Sequence, residues 1–235
     1  MDNGWEASAE AWLRELGESG DFARRAVLDA PMLARVRATR PSLALDIGCG
    51  EGRFCRMMAA EGIAATGLDP TDRLLAEARD RHPEGHSVRG RAEALPFPDA
   101  SFDLVVSYLS LIDIDDTEQA VAEMVRVLQP GGRLLVANLS GIASAGVAPG
   151  WAETADGRSG WLIDRYFETR ADWVEWRGVR IRNWHRPLAD YMGAFLRHGL
   201  ILRHFDEPRP AAAGDPKTAR YRRIPMFVLL EWQQP

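Results

Sequence analysis

Cysteine is scarce in this chain: Cys49 and Cys55 are the only two among 235 residues. They flank one glycine turn, so no disulfide framework is expected and a reducing compartment is the default. Long apolar runs are missing too, which gives no candidate for a membrane span. The opening MDNGWEASAE is acidic and polar, unlike a secretory leader, so a cytoplasmic location is expected. Nor is there a basic excess. The net charge of −5 opposes the phosphate backbone, and nucleic acid is not an expected partner. What is present is the composition of an ordinary globular domain, 46% hydrophobic and 27% charged, long enough for one core with an elaboration. The charge is uneven, however: from Arg165 to Arg223 stand 13 Lys and Arg against 7 Asp and Glu, leaving −11 elsewhere.

The spacing of apolar residues predicts a short amphipathic helix over 5–17 and a second over 22–38 capped by Asp21. Residues 1–40 thus read as a helical cover. After Pro41 strands at 42–47, 63–69, 86–90, 101–111 and 133–140 alternate with helices at 53–61, 71–82 and 116–128, Thr71 capping the second of these helices. That alternation implies βαβ units and a parallel sheet with right-handed crossovers. Residues 141–186 break the rhythm, being rich in Gly, Trp and Arg, and read as an insertion on the substrate side. A helix at 187–199 and strands at 200–205 and 225–232 complete a single domain over 1–235.

The stretch LALDIGCGEGRF (43–54) carries glycines at Gly48, Gly50 and Gly52 between a strand and a helix. The dinucleotide fingerprint needs G-x-G-x-x-G, and here the third glycine comes one residue early. Glu51 adds a carboxylate where a pyrophosphate would rest, and like charges repel. A phosphate-free ligand fits better, and S-adenosylmethionine, with its cationic sulfonium, is the expected cofactor. Asp69 ends the next strand about twenty residues on, where a carboxylate reaches ribose hydroxyls. Glu93, in the loop after the third strand, is placed for adenine.

LALDIGCGEGRF, GLDPT, GRAEALPFPDASFDLVVS and AEMVRVLQPGGRLLVANL together resemble the class I S-adenosylmethionine-dependent methyltransferases, in the branch of ubiquinone-type and small-molecule enzymes. The resemblance covers about residues 42–140. It implies an α/β Rossmann-like sheet of seven strands, mostly parallel with an antiparallel last strand, and helices on both faces. It further implies that Asp46 with Gly48, Gly50 and Gly52 hold the methionine part, Asp69 and Pro70 the ribose, and Ala92 with Glu93 the adenine edge. Ser107 and Tyr108 would line the methyl end. The insertion is where such families vary for substrate.

Methyl transfer from a sulfonium is a displacement in which the protein supplies alignment and a dry site. A base is needed only where the acceptor must lose a proton. His82 and His86 flank a surface turn, His198 ends a helix and His204 alternates along a strand, which leaves His185, in RIRNWHRPL, as the candidate base or acceptor contact, the alternative being a capping or packing histidine ahead of Pro187. Five of eight tryptophans fall in the insertion and suit either a ring-bearing acceptor or a small core of their own. Trp184, Tyr166 and Asp113 are the candidate acceptor contacts, while Asp115 or Asp116 caps a helix. WRGVRIRNWHR alternates as a strand with Arg180 and Arg182 on one face. The expected activity is methylation of oxygen or nitrogen on a small cyclic metabolite, with no metal. An RNA methyltransferase, a cofactor-binding protein without catalysis and a nicotinamide-dependent oxidoreductase are the competing readings.

Overall fold

A computed structural model describes residues 3–153, 155–211 and 216–235. Helix α1 (Trp5–Leu16) stops at Gly17. Asp21 caps the next segment by accepting from the Arg24 amide at 2.9 Å. That segment is not one regular helix. It opens with a wide π turn, Arg24–Leu28, before α2 (Asp29–Thr39). The wide turn precedes Pro31, whose missing N–H and bulky ring cannot continue a regular α ladder back to residue 27.

The βα series follows: β1 (Leu43–Ile47), α3 (Arg53–Ala60), β2 (Ala64–Asp69), α4 (Asp72–Arg81), β3 (His86–Arg89), β4 (Phe102–Tyr108), α5 (Thr117–Val127) and β5 (Leu128–Leu139). The fourth strand ends three residues sooner than its apolar run suggests. Leu109 takes a left-handed φ of 58° and turns the chain into a short 3-10 turn, Leu111–Asp113. The insertion is more regular than expected. After the single turn α6 (Gly141–Ser144) it forms two antiparallel hairpins, β6 (Gly146–Glu153) with β7 (Ser159–Ile163), and β8 (Arg170–Trp176) with β9 (Val179–His185). Then come α7 (Leu188–Arg197), β10 (Ile201–Asp206), α8 (Pro216–Tyr221) and β11 (Phe227–Gln233).

Seven of these strands make one sheet in the order β10-β11-β5-β4-β1-β2-β3. Pairings from β5 through β3 are parallel, and β11 runs antiparallel to both of its neighbours. β1 buries Ala44, Leu45 and Ile47 together with Asp46, as a central strand covered on both faces must. One core layer packs Val121, Met124, Phe195 and Trp232 on one face, and a second packs Leu28, Met32, Val36 and Met58 on the other. A third cluster joins α1 to β9 through Trp12, Leu16, Val179 and Ile181. The chain reverses its order of travel between β1 and β4, and the crevice beyond those strand ends is where open α/β sheets bind ligands.

Candidate functional site

At the end of β1 the chain turns through Gly48, Gly50 and Gly52, with φ of 73°, 55° and 74°, a region costly to side chains with a Cβ. Gly48 also lies so near Ser110 that a Cβ there would stand 2.4 Å from the serine's own Cβ. Asp69, at the end of β2, holds the turn open. Its Oδ2 accepts from the Gly50 amide at 2.9 Å and its Oδ1 from the Thr71 amide at 2.8 Å. Thr71 does not cap α4 with its hydroxyl. Glu6 of α1 takes that place, accepting from the amides of Asp72 at 2.9 Å and Arg73 at 3.2 Å.

Asp46 is buried beneath the turn. Its Oδ2 accepts from the Cys55 thiol at 3.6 Å, while Oδ1 has no partner among the described residues. Burial pushes this carboxyl up to about 7, against the Cys55 hydrogen bond. Asp69 is raised as well, by burial that the Thr71 and Gly50 hydrogen bonds only partly offset.

These groups open into a cavity of about 1010 Å³, partly open to solvent. Of the expected cofactor residues, Asp46, Gly48, Gly50, Asp69, Pro70, Ala92, Glu93 and Tyr108 line it. Gly52 and Ser107 do not. Gly52 starts α3 against Ala78, and Ser107 lies behind the wall, its hydroxyl 2.7 Å from that of Ser110, which in turn donates to the Ile47 carbonyl at 2.6 Å. Glu51 also departs from expectation. It is 1% exposed, and its Oε2 is held by Arg56 at 2.5 Å and Arg81 at 3.5 Å. Those guanidiniums neutralise the charge that was expected to repel phosphate. The carboxyls of Asp46, Asp69 and Asp113 line the cavity along with Glu51.

Asp113 also lines the cavity wall, and its Oδ1 accepts from the Asn183 side-chain amide at 2.6 Å. Burial pushes its carboxyl up to about 8, opposed by hydrogen bonds from Trp5 and Asn183. Beside it are residues that motif reading did not assign: Trp5 and Trp12 of α1, Arg24, and Leu109. Trp5 and Trp12 meet edge to face at 5.5 Å, and the Arg24 guanidinium lies 5.2 Å from the Trp12 ring and 5.6 Å from that of Tyr108. Their seven-residue spacing on one helix face was a visible signal. Nothing in the sequence says that this face looks into a cavity rather than a core.

His185 is not on that wall. It is 2% exposed, with Nε2 2.8 Å from the Tyr166 carbonyl and Nδ1 2.8 Å from the Ser144 hydroxyl. The carbonyl can only accept, so Nε2 carries the proton and Nδ1 accepts from Ser144. Both nitrogens are spent, and burial lowers the pKa. The expected base is a structural hub of the insertion. Tyr166 lies with it, its hydroxyl accepting from the Leu188 amide at 3.2 Å. Trp184 also stays outside the cavity, donating to Asp115 at 3.0 Å with Arg186 4.5 Å from its ring. Asp116 is the helix cap, accepting from Gln119 at 3.0 Å.

Comparison with known proteins agrees with this geometry. Residues 45–136 match the model of a methyltransferase domain. The malonyl-[acyl-carrier protein] O-methyltransferase of Enterobacter lignolyticus is 39% identical over 109 residues, 46% of this chain and 43% of that one. The demethylmenaquinone methyltransferase of Renibacterium salmoninarum is 37% identical over 117 residues, 50% and 47% of the two chains. The chain thus spans about half the length of these curated relatives. A solved S-adenosylmethionine-dependent methyltransferase from Mesorhizobium loti aligns with a TM-score of 0.77 at 31% identity, covering 86% of this chain and 96% of that one. The chain belongs to the class I S-adenosylmethionine-dependent methyltransferases. The residues present fit the cofactor of that family. The glycine cradle leaves room where a Cβ would collide, and the orphaned Oδ1 of Asp46 supplies an acceptor for a cationic ligand.

Proposed function

We propose that this methyltransferase places the methyl group of S-adenosylmethionine on an oxygen or nitrogen of a small, ring-bearing metabolite by direct displacement. One observation carries the reading. A single cavity is lined by the glycine turn, Asp46 and Asp69 and also by Trp5, Trp12, Tyr108 and Asp113. Asp46 with the backbone of Gly48 and Gly50 would hold the methionine part, Asp69 the ribose, and Ala92 with Glu93 the adenine edge. When bound, S-adenosylmethionine supplies an electrophilic methyl and a good leaving group.

The protein's own work is then alignment, desolvation and proton transfer. Trp5 and Trp12 close one side with apolar surface and keep water from the reacting centre. Tyr108 presents its ring, because its hydroxyl is tied to Asp29 at 2.9 Å, and its pKa is raised by burial and the Asp29 charge. It therefore stays a phenol. Asp113 is the carboxylate of the acceptor wall and replaces His185 as the group to take a proton from a hydroxyl or ammonium. Asn183 fixes its Oδ1. The name of the demethylmenaquinone relative supports a small, ring-bearing acceptor, and that of the malonyl-[acyl-carrier protein] relative supports oxygen as the methylated atom. Two free thiols beside the turn suit a reducing cytoplasm.

Incubation with methyl-labelled cofactor and fractionated cell extract tests the reading. Label is expected in a low-molecular-weight fraction. Label confined to RNA or protein overturns the small-molecule acceptor, and binding of cofactor with no transfer to any fraction favours a non-catalytic role.

A further inference from the structure

Most arginines of the insertion and of α7 are spent in ion pairs, as Arg165 with Glu168, Arg170 with Asp172 and Arg197 with Glu118 show, while Arg180 rests on the Trp173 ring and Arg186 on backbone carbonyls. Arg220, Arg222 and Arg223 stand together outside those ion pairs. All three are exposed, and among the described residues none has a carboxylate within ion-pair distance. We propose that these arginines form an anion site on the α8 side of the cavity that takes a phosphate group carried by the methyl acceptor. The proposal rests on the methyl-transfer reading of that cavity.

Geometry makes the cluster a receptor rather than a loose charged surface. The Arg223 guanidinium lies 4.6 Å from the centre of the Trp151 ring and that of Arg220 6.0 Å from the same ring. Trp151 is itself held edge to face on Trp161 at 5.7 Å. Arg223 also donates to the Ser159 carbonyl at 2.6 Å, and Arg222 to those of Pro210 at 2.5 Å and Ala211 at 3.2 Å. Carbonyls and an indole face orient the guanidiniums without cancelling their charge. Arms already held in place lose less freedom when a ligand binds. The planar fork of each arginine matches a pair of phosphate oxygens, and several uncompensated cations suit a dianion better than a single carboxylate.

The cluster lies outside the cavity lining and is connected to it through Tyr221 of α8. Tyr221 meets Phe22 edge to face at 5.3 Å, and Phe22 is two residues from Arg24, which lines the cavity. Tyr221 and Leu109, another lining residue, pack against the same core layer. A phosphate held on the arginines would be joined to the reacting end by an acceptor that reaches past α8 into the cavity. Glu51, neutralised inside its own turn, raises no barrier to such a ligand.

Calorimetric titration of the full chain with inorganic pyrophosphate tests this, beside the variant Arg220→Ala/Arg223→Ala. Both side chains are exposed, so the fold should hold, which circular dichroism and an unchanged affinity for S-adenosylmethionine would verify. Pyrophosphate is expected to bind the natural chain and to lose about tenfold or more in affinity in the variant, about 1.4 kcal/mol. Equal binding by both proteins, or none by the natural chain, overturns the proposal. A short single-stranded RNA or polyglutamate bound far more tightly than pyrophosphate also overturns it, assigning the surface to a nucleic acid or an acidic protein. If the natural chain fails to bind S-adenosylmethionine, the methyl-transfer reading falls while the pyrophosphate result still decides the anion site.

Discussion

The side-chain amide of Asn183, on the second hairpin of the insertion, donates to Oδ1 of Asp113 at 2.6 Å and ties that hairpin to the wall of the cavity. Asp113 and Asp46 line the same cavity, and burial raises both, to about 8 and about 7. Each becomes fully anionic only above neutral pH. A sulfonium ligand should therefore bind more tightly as pH rises from 6 to 9, whereas its neutral thioether product should respond much less. Calorimetry with S-adenosylmethionine and S-adenosylhomocysteine across that range should show the preference for the donor growing about tenfold, about 1.4 kcal/mol. A ratio that stays flat would remove both carboxylates from the electrostatics of the cofactor.

Stability carries the same signature with a sign that can be checked. A carboxyl whose folded pKa exceeds its unfolded value binds protons more tightly in the folded state. Stability then falls as pH rises from about 4 towards 8, and the loss is complete above the folded pKa. Asp113→Asn removes that penalty. The ligand-free variant should melt a few degrees higher than the natural chain at pH 9 and show no such gain at pH 5. Equal gains at both pH values would point to packing rather than charge.

Asp69 does two jobs, since its carboxylate accepts the amides of Gly50 and Thr71 while facing the cavity. Asp69→Asn puts an NH₂ donor opposite one of those amides and removes the charge. Each charged hydrogen bond is worth about 1.5–3 kcal/mol, so cofactor affinity should fall by about a hundredfold while far-UV dichroism is unchanged. Affinity within about threefold of the natural chain would take Asp69 out of the cofactor site.

His185→Ala separates a base from a structural hub. The substitution leaves the Tyr166 carbonyl and the Ser144 hydroxyl without their partner in a buried site. The cost is about 1–3 kcal/mol for each orphaned group, and melting should drop by several degrees. Cofactor affinity should stay within twofold, because His185 lies off the cavity wall. Unchanged melting together with lost methyl transfer is the outcome that would restore His185 as a catalytic residue.

The parallel sheet and the cofactor half of the site were legible because local rules write them. Strands buried on both faces read as apolar runs, a turn with three left-handed φ values requires glycine, and a carboxylate at the end of β2 follows at fixed spacing. The acceptor half obeys no such local rule. Trp5 and Trp12 look the same in sequence whether their helix face meets a core or a cavity, and Arg24 reaches the wall only because the π turn before Pro31 places it there. Glu51 misled for the same reason. Its neutralising partners, Arg56 and Arg81, lie on two different helices and meet it only in the fold. His185 looked chemical because a histidine beside an aromatic-rich insertion does, yet its burial depends on Ser144 and Tyr166, 41 and 19 residues away.

The close approach of Gly48 to Ser110 gives the most local test of the cofactor turn. A Cβ at Gly48 would stand 2.4 Å from the Ser110 Cβ and would also have to adopt a φ of 73°. Ser110 cannot yield, because its hydroxyl donates to the Ile47 carbonyl at 2.6 Å and meets Ser107 at 2.7 Å. Gly48→Ala must therefore push the turn itself out of register, and cofactor affinity should fall by about a hundredfold with the sheet intact. Removing the obstructing atom offers a rescue. In Gly48→Ala/Ser110→Gly the steric half of the defect is relieved and the strained φ remains, so affinity should recover in part. A double variant no better than the single one would assign the whole effect to backbone strain and leave Ser110 no part in shaping the cradle.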